Sequence, residues 1–297
     1  MTLQQLRFLC QIVESGFNVT RAAEALHTSQ SGVSHQIRLL ERELSATILV
    51  RQGKRILGLT DVGKGIANAS RDILLRAAQL KSIAADLDPA APSQLTVATT
   101  HVHARYALLP IISHFAATHR TTALHLIQTF PSEIFELLDN DKVDLGLTTE
   151  SAPDNRRFDT VPAYLINRIL ITPVGHPLLK QRRPSLKDIA RHPMIVYDSR
   201  LTSGRTVDEA FERIGVTPYT VLRAVDVDVI KAYVSAGLGV AIIPSLAFEA
   251  KEDIRLRALS LGHIMPGEMT HIVTRRGKYL RTQARAFIQL LQGRASR

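Results

Sequence analysis

Two short helical segments parted by a break of only two residues, the second opening on its own capping serine, decide what the first forty residues can fold into. Asn18 has the side chain to cap a helix over residues 19–26, which carries Ala22, Ala23 and Leu26 toward one side. His27-Thr28 interrupts it. Ser29 then caps a third helix whose inner face holds Val33, Ile37 and Leu40. Ahead of both, Leu3, Leu6, Leu9, Cys10 and Val13 recur at helical spacing until Gly16 stops the run. Three short helices with a tight turn between the last two predict a helix-turn-helix. Its third helix turns Gln30, Ser31, Ser34, His35 and Arg38 outward. Glutamine can pair with adenine, and serine, histidine and arginine can donate to base edges or phosphates. A solvated helix face is the plainer alternative. A hairpin and a long helix, next along the chain, weigh against it.

Residues 48–51 and 55–59 are two short strand-like runs around Gln52-Gly53-Lys54, a hairpin whose basic tip, Lys54, can lie on a phosphate backbone. Thr60 then caps a long helix reaching to about Leu87. Ile66, Ile73, Leu80 and Leu87 repeat every seven residues along it, with Ala69, Ala77, Ile83 and Ala84 nearby. Such a stripe can pack on its own domain or pair two copies of the chain; pairing is favoured, because a helix between two domains has little else to bury its stripe against. Residues 88–93 form a proline-rich linker. From Gln94 onward, strand-like runs at 95–99, 123–128, 143–148, 168–174, 194–197, 221–225, 240–244 and 271–274 alternate with helical patterns at 103–118, 131–141, 203–214, 227–236 and 280–291. That alternation predicts sheets rich in parallel strands, flanked by helices, in one large sheet or two hinged lobes. The fold class is α/β overall.

Charge is a weaker guide. The chain of 297 residues carries a net charge of +10, and a basic excess suits a polyanionic partner. Residues 1–88, however, hold 11 Lys and Arg against 8 Asp and Glu, while residues 275–297 hold seven basic residues and no acidic one. A solvated basic tail explains that stretch as well as nucleic acid does. The single cysteine, Cys10, lies among Leu6, Leu9 and Val13 and reads as a small core residue. With no secretion-signal pattern and no apolar run long enough to span a bilayer, the expected location is the cytoplasm, with no membrane partner.

Residues 20–41, from Thr20-Arg21-Ala22-Ala23 through Ser29-Gln30-Ser31-Gly32-Val33-Ser34-His35 to Leu40-Glu41, resemble the signature of the LysR-type transcriptional regulators, and Leu59-Thr60-Asp61-Val62-Gly63 resembles that family's start of the linker helix. Ser31 stands where the family more often has proline. The resemblance implies a winged helix-turn-helix over residues 1–59, a linker and dimerisation helix over 60–88, and an effector-binding domain over 89–297. That last domain would be built of two α/β lobes like type II periplasmic binding proteins. Double-stranded operator DNA would be met by Arg21, Ser29, Gln30, Ser31, Ser34, His35, Arg38 and Lys54. Homodimers or homotetramers are expected, and RNA polymerase is a further candidate partner.

The second half resembles the CysB branch of that family, which governs sulfur assimilation. The matching runs are Ala98-Thr99-Thr100-His101, Ala104-Arg105-Tyr106-Ala107-Leu108, and residues 224–234 followed by Gly237-Leu238-Gly239-Val240. The resemblance implies a small anionic effector, sulfate, acetylserine or a related sulfur metabolite, bound by Thr99, Thr100, Val102, His103, Thr149, Thr202 and Asp226. Thr100, Thr149 and Thr202 fall on the branch's anion-binding threonines. Val102 and His103 depart from the Thr and Gln usual there: one removes a hydroxyl, the other supplies a titratable ring. A LysR-type regulator of another pathway with an unrelated effector stays open at this point.

Two other classes fit less well. A transport solute-binding protein would suit the back half but not the helix-turn-helix in front. An enzyme would need a motif that is not there: Gly237-Leu238-Gly239 lacks a third glycine and follows a helix, and neither a Gly-x-Ser-x-Gly elbow nor a Walker loop occurs. His101 and His103 lack the partners of a metal site. No catalytic residue, metal or cofactor is expected.

Overall fold

The computed structural model describes residues 1–53, 55–87 and 93–295. The chain divides into two compact units, Met1–Pro89 and Ala90–Arg297.

In the first unit, α1 (Leu3–Glu14) opens with a capping box between Thr2 and Gln5, and α2 (Val19–Ala25) is capped by Asn18, which accepts from the amides of Thr20 and Arg21. α3 (Gln30–Glu43) begins at Ser29, whose hydroxyl accepts from Gly32 N–H at 3.1 Å. The hairpin of β1 (Leu49–Gln52) and β2 (Arg55–Leu59) is antiparallel, and Gly53 supplies the positive φ of +60° at its tip. Lys54 and the linker residues 88–92 lie outside the described residues. α4 (Asp61–Asp86) starts where Thr60 Oγ1 accepts from Gly63 N–H at 2.8 Å. Leu6, Leu9, Ile12, Val33, Ile37, Leu40, Ile48 and Leu49 form one core, and Cys10 is buried beside them.

The stripe on α4 splits in two. Ala67 is buried in that core, with Ile66 and Leu74 packed against it, so the helix's first half is held by its own domain. Further along, Ile73, Leu80, Ile83 and Leu87 are exposed, Leu80 at 68%.

The second unit starts with β3 (Ser93–Thr99), a π-helical turn (His103–Ala107), α5 (Leu109–Thr118), β4 (Thr122–Gln128), α6 (Pro131–Asp139), β5 (Leu145–Thr148) and β6 (Phe158–Ile166). The chain then builds β7 (Arg168–Pro173), the single turn α7 (Leu186–Ile189), β8 (Met194–Tyr197), α8 (Thr202–Arg213), β9 (Thr220–Ala224), α9 (Val227–Ser235), β10 (Ala241–Pro244) and β11 (Leu256–Ser260). β12 (Glu268–Arg275) and α10 (Thr282–Ala295) return it to the first sheet. One lobe is the sheet β4-β3-β5-β12-β6; the other holds β10-β7-β11 and the pair β8-β9.

These sheets are mixed, which corrects the expectation of parallel-rich sheets. β3 runs parallel to β4 and β5, and β8 to β9, but β12 is antiparallel to both β5 and β6, and β7 to both β10 and β11. Parallel pairing needs a crossover, usually a helix. Helices separate β3, β4 and β5, and α8 separates β8 from β9. The expected helix over 103–118 is broken into the π-helical turn and α5. The basic C-terminal stretch is not a solvated tail. Lys278 pairs with Asp141 at 2.7 Å and Asp144 at 3.3 Å, Arg276 with Asp159 at 2.8 Å, and Arg275 with Asp139 at 3.6 Å. Arg281 also pairs with Asp144, at 3.6 Å, so four of the stretch's cations are matched by acids of the lobe.

Candidate functional site

Between the two lobes of the second unit, strand ends and helix starts converge on a cavity of about 40 Å³, room for only a few non-hydrogen atoms. Thr100, His101, Val102 and His103 reach it from the end of β3, Thr149 from the end of β5, Arg168 from the start of β7, and Tyr197 from the end of β8. Leu201, Thr202 and Ser203 form one wall at the start of α8. Residues directly after a strand or before a helix carry side chains and free amides into the same space, which is why open α/β folds bind ligands there.

Arg168 commands the floor. It is 2% exposed. Its Nη1 donates to Ser203 Oγ at 3.0 Å, its Nη2 is ion-paired with Glu268, and its Nε–H has no hydrogen-bond partner among the described residues. Tyr197 OH and Thr202 Oγ1 are likewise buried without a partner. Buried polar groups are nearly always hydrogen-bonded; three lapses fall on residues that line this one cavity. α8 adds to this, because Leu201 gives its first turn no side-chain cap and leaves the amides at the helix's positive end open. The close seating of that turn depends on Gly204, where a Cβ would stand 2.2 Å from the carbonyl oxygen of Asp198.

His103 is 4% exposed, and its Nδ1 lies 2.7 Å from Tyr164 OH. Burial first, and the positive field of Arg168 second, push its pKa down to about 3, so the ring is neutral at physiological pH. The lobes are also tied at either side of the cavity. Arg205 pairs with Glu150 at 2.7 Å on one side. On the other, Asp228 meets His101 at 3.2 Å and Arg105 at 3.0 Å, and accepts from Tyr106 OH.

Of the seven effector residues expected from the sequence, Thr100, Val102, His103, Thr149 and Thr202 line this cavity. Two do not. Thr99 is wholly buried with its hydroxyl donating to Leu147 O at 2.9 Å. Asp226 is occupied as the cap of α9, accepting from Asp228 N–H at 2.7 Å, and its other oxygen lies 3.5 Å from His101. Arg168 and Tyr197 were missed. Arg168 had left a signal, a lone charge opening an otherwise apolar strand.

The first unit carries a second candidate surface. Arg21, Gln30, Ser31, His35 and Arg38 are exposed and Ser34 is half-buried. Ser29 is exposed, but its hydroxyl is engaged as the helix cap and lies 3.0 Å from Ser31 Oγ. Gln30 Nε2 donates to Thr20 Oγ1 at 2.8 Å, which ties the first turn of α3 to α2. Glu41 borders the same surface as Arg38, but its carboxylate is engaged, accepting from the amides of Ile48 and Leu49 at 2.9 and 3.1 Å. Arg38 and His35 form no ion pair among the described residues. With Arg42, Ser45 and Thr47, which sequence reasoning passed over, they line a concave surface.

Comparison with known proteins identifies the two domains that carry these surfaces. Residues 3–64 match the model of the bacterial regulatory helix-turn-helix protein of the lysR family, and residues 90–296 match the LysR substrate binding domain. The chain is 38% identical over 290 residues to the HTH-type transcriptional regulator SsuR of Burkholderia cenocepacia, covering 98% of this chain and 94% of that one. It is 36% identical to the regulator CysB of the same organism over 98% of this chain and 93% of that one. The crystal structure of the cofactor-binding domain of the Cbl transcriptional regulator superposes with a TM-score of 0.64 at 32% identity, covering 69% of this chain and 90% of that chain. A full-length OxyR variant from Pseudomonas aeruginosa shares the fold at 20% identity, with a TM-score of 0.67 over 99% of this chain and 97% of that one.

Proposed function

Because the chain belongs to the LysR family of transcriptional regulators, we propose that it binds operator DNA through α3, as a dimer paired along the exposed half of α4, and answers to a small oxyanion held between the lobes of its second unit. The observation that carries the effector reading is the convergence of three unpartnered buried donors, Arg168 Nε, Tyr197 OH and Thr202 Oγ1, on the uncapped start of α8. A tetrahedral oxyanion presents acceptors in several directions at once and would satisfy all of them. The small volume excludes a bulky effector unless the lobes part.

The genes controlled are those of sulfur acquisition in this proposal, supported by the likeness to SsuR, CysB and Cbl. Arg21, Gln30, Ser31, Ser34, His35 and Arg38 would face the DNA, with the tip of the β1–β2 hairpin on a phosphate. The effector would bias two arrangements of the lobes by binding one better than the other. Among the described residues no helix is long and apolar enough to cross a membrane; a chromosomal operator places the action in the cytoplasm.

Two measurements test the proposal. A thermal-shift series with sulfate, thiosulfate, adenosine phosphosulfate, O-acetylserine and N-acetylserine should show one ligand raising the melting temperature with concentration, and that rise should vanish in Thr202→Val. Transcript profiles of a deletion strain, grown on sulfate or on a sulfonate as sole sulfur source, should change at sulfur-uptake genes. Unaltered profiles would reject sulfur control.

A further inference from the structure

The cavity's charges cancel before any ligand arrives. Arg168 is paired with Glu268, Arg205 with Glu150, and His101 faces Asp226 and Asp228. What remains for a ligand is two hydroxyls, the free Nε–H of a guanidinium whose charge Glu268 already balances, and the partial charge of one helix end, about half an elementary charge. A singly charged oxyanion is reasonably matched by these. A second negative charge in so small and enclosed a space has no counterpart, and an unpaired buried charge is costly enough that a neighbouring group changes its protonation instead.

Among the described residues lining the cavity, the groups able to respond are few. Tyr197 is buried, its phenol pushed well above the ordinary range by desolvation, so it stays a neutral donor. His101 has both ring nitrogens engaged, Nδ1 with Gln128 Oε1 at 3.3 Å and Nε2 with Asp228 at 3.2 Å, so neither is left to meet a ligand. His103 is left. Tyr164, from β6, holds Nδ1, so a ligand meets the ring through Nε2. The charged group facing it from β7 is Arg168, accompanied by Glu268 from β12, and α8 brings only the hydroxyls of Thr202 and Ser203. A dianion placed beside the ring outweighs the field of Arg168 and supplies the counter-charge that burial, the larger cause of its neutrality, otherwise denies a protonated ring.

We infer that His103 selects among anions by proton uptake: singly charged oxyanions enter the cavity as it stands, whereas doubly charged ones bind together with one proton from solvent, taken up at His103 Nε2. In the protonated state Nδ1–H donates to Tyr164 OH and Nε2–H to the anion. The inference rests on the oxyanion reading above and adds which charge state the site favours at a given pH.

Calorimetry on the full chain tests it, with sulfate as the dianion and methanesulfonate as the monoanion, from pH 5.5 to 7.5. The buffers are bis-tris and imidazole, which carry no sulfonate group and differ in heat of ionisation. Sulfate should take up close to one proton, and its Kd should rise about tenfold per pH unit. Methanesulfonate should take up none and keep a constant Kd. His103→Gln, which cannot titrate but can still hydrogen-bond Tyr164, should abolish both the proton uptake that accompanies sulfate and the pH dependence of its Kd. If both anions bind wild-type protein with flat pH dependence and no proton uptake, the inference is overturned while the anion site stands. If neither binds, the anion site falls and the inference with it.

Discussion

Arg168 Nη1 donates to Ser203 Oγ at 3.0 Å, so the first residue of one strand holds the first turn of α8 in place beside the cavity. Glu268, from the strand that carries the chain back to the first lobe, neutralises the same guanidinium. The pair joins two elements of the fold and Arg168 also lines the cavity, and the structural role can be separated from the proposed anion-binding one. Arg168→Met should destabilise the second unit by about 3 kcal/mol, because Glu268 is left with its charge mostly buried and unpaired. Arg168→Met with Glu268→Gln should recover much of that loss in urea denaturation, yet bind no anion. A single variant as stable as wild type would show that the pair is not holding the lobes.

His103 gives the same region a signature in acid. A histidine whose folded pKa lies below its unfolded value binds its proton mainly in the unfolded state. Its contribution to stability is therefore intact above pH 6.5 and is lost as pH falls from 6.5 toward the folded value of about 3. At pH 5 the loss should be about 2 kcal/mol. His103→Gln should flatten the acid limb of a melting-temperature profile between pH 7 and 5, and an unchanged limb would mean that other groups govern it.

Much of this architecture is legible in the residues. Asn18, Ser29 and Thr60 announce three helix starts because a short oxygen-bearing side chain at a cap has one obvious use. Thr100, Thr149 and Thr202 could be placed only by resemblance, since a threonine at a strand end is ordinarily just a cap. Other features leave no local trace. β6 contains Pro162 and four successive exposed residues, 159–162, so it shows no alternation; it is an edge strand, where such a sequence is tolerated. Arg168 reads as a surface charge until Glu268, a hundred residues on, is brought beside it. Thr99 ends β3 and Thr100 follows it, and at that exit the first hydroxyl goes to a backbone carbonyl while Thr100 lines the cavity.

Two glycines in one helix provide a matched test of the first unit. A Cβ on Gly63 would lie 2.1 Å from Ile48 O, a backbone atom that cannot step aside, whereas Gly65 has nothing within 4 Å. Gly63→Ala should cost about 1–3 kcal/mol by forcing α4 off the β1–β2 hairpin. Gly65→Ala should stabilise by about 0.5–1 kcal/mol through helix propensity. Chemical denaturation of both variants checks the pair; equal effects would mean that the hairpin and α4 are not in the contact described.

Arg38 is exposed, unpaired by any acid among the described residues, and one helical turn beyond Ser34 on the outward face of α3. Arg38→Ala should weaken binding to the native operator by about 1–3 kcal/mol in a gel-shift titration at fixed salt, with the melting temperature unchanged. Gln30→Ala should do the same and also free Thr20. Full affinity in both variants would move the DNA contact to another face.

The exposed half of α4 makes the last prediction. Leu80 and Leu87 are 68% and 78% exposed in the single chain, and apolar side chains seven residues apart on a long helix are the seam that a second helix fills. Leu80→Asp puts a charge in that seam without touching the core, since Ile66, Ala67 and Leu74 hold the helix to its own domain at earlier turns. Sedimentation velocity should then show monomers at concentrations where wild-type protein is dimeric or larger. Operator affinity should fall far more than for a single lost base contact, because one half-site is read alone. A Leu80→Asp protein that sediments as wild type would mean that the chain pairs through some other surface.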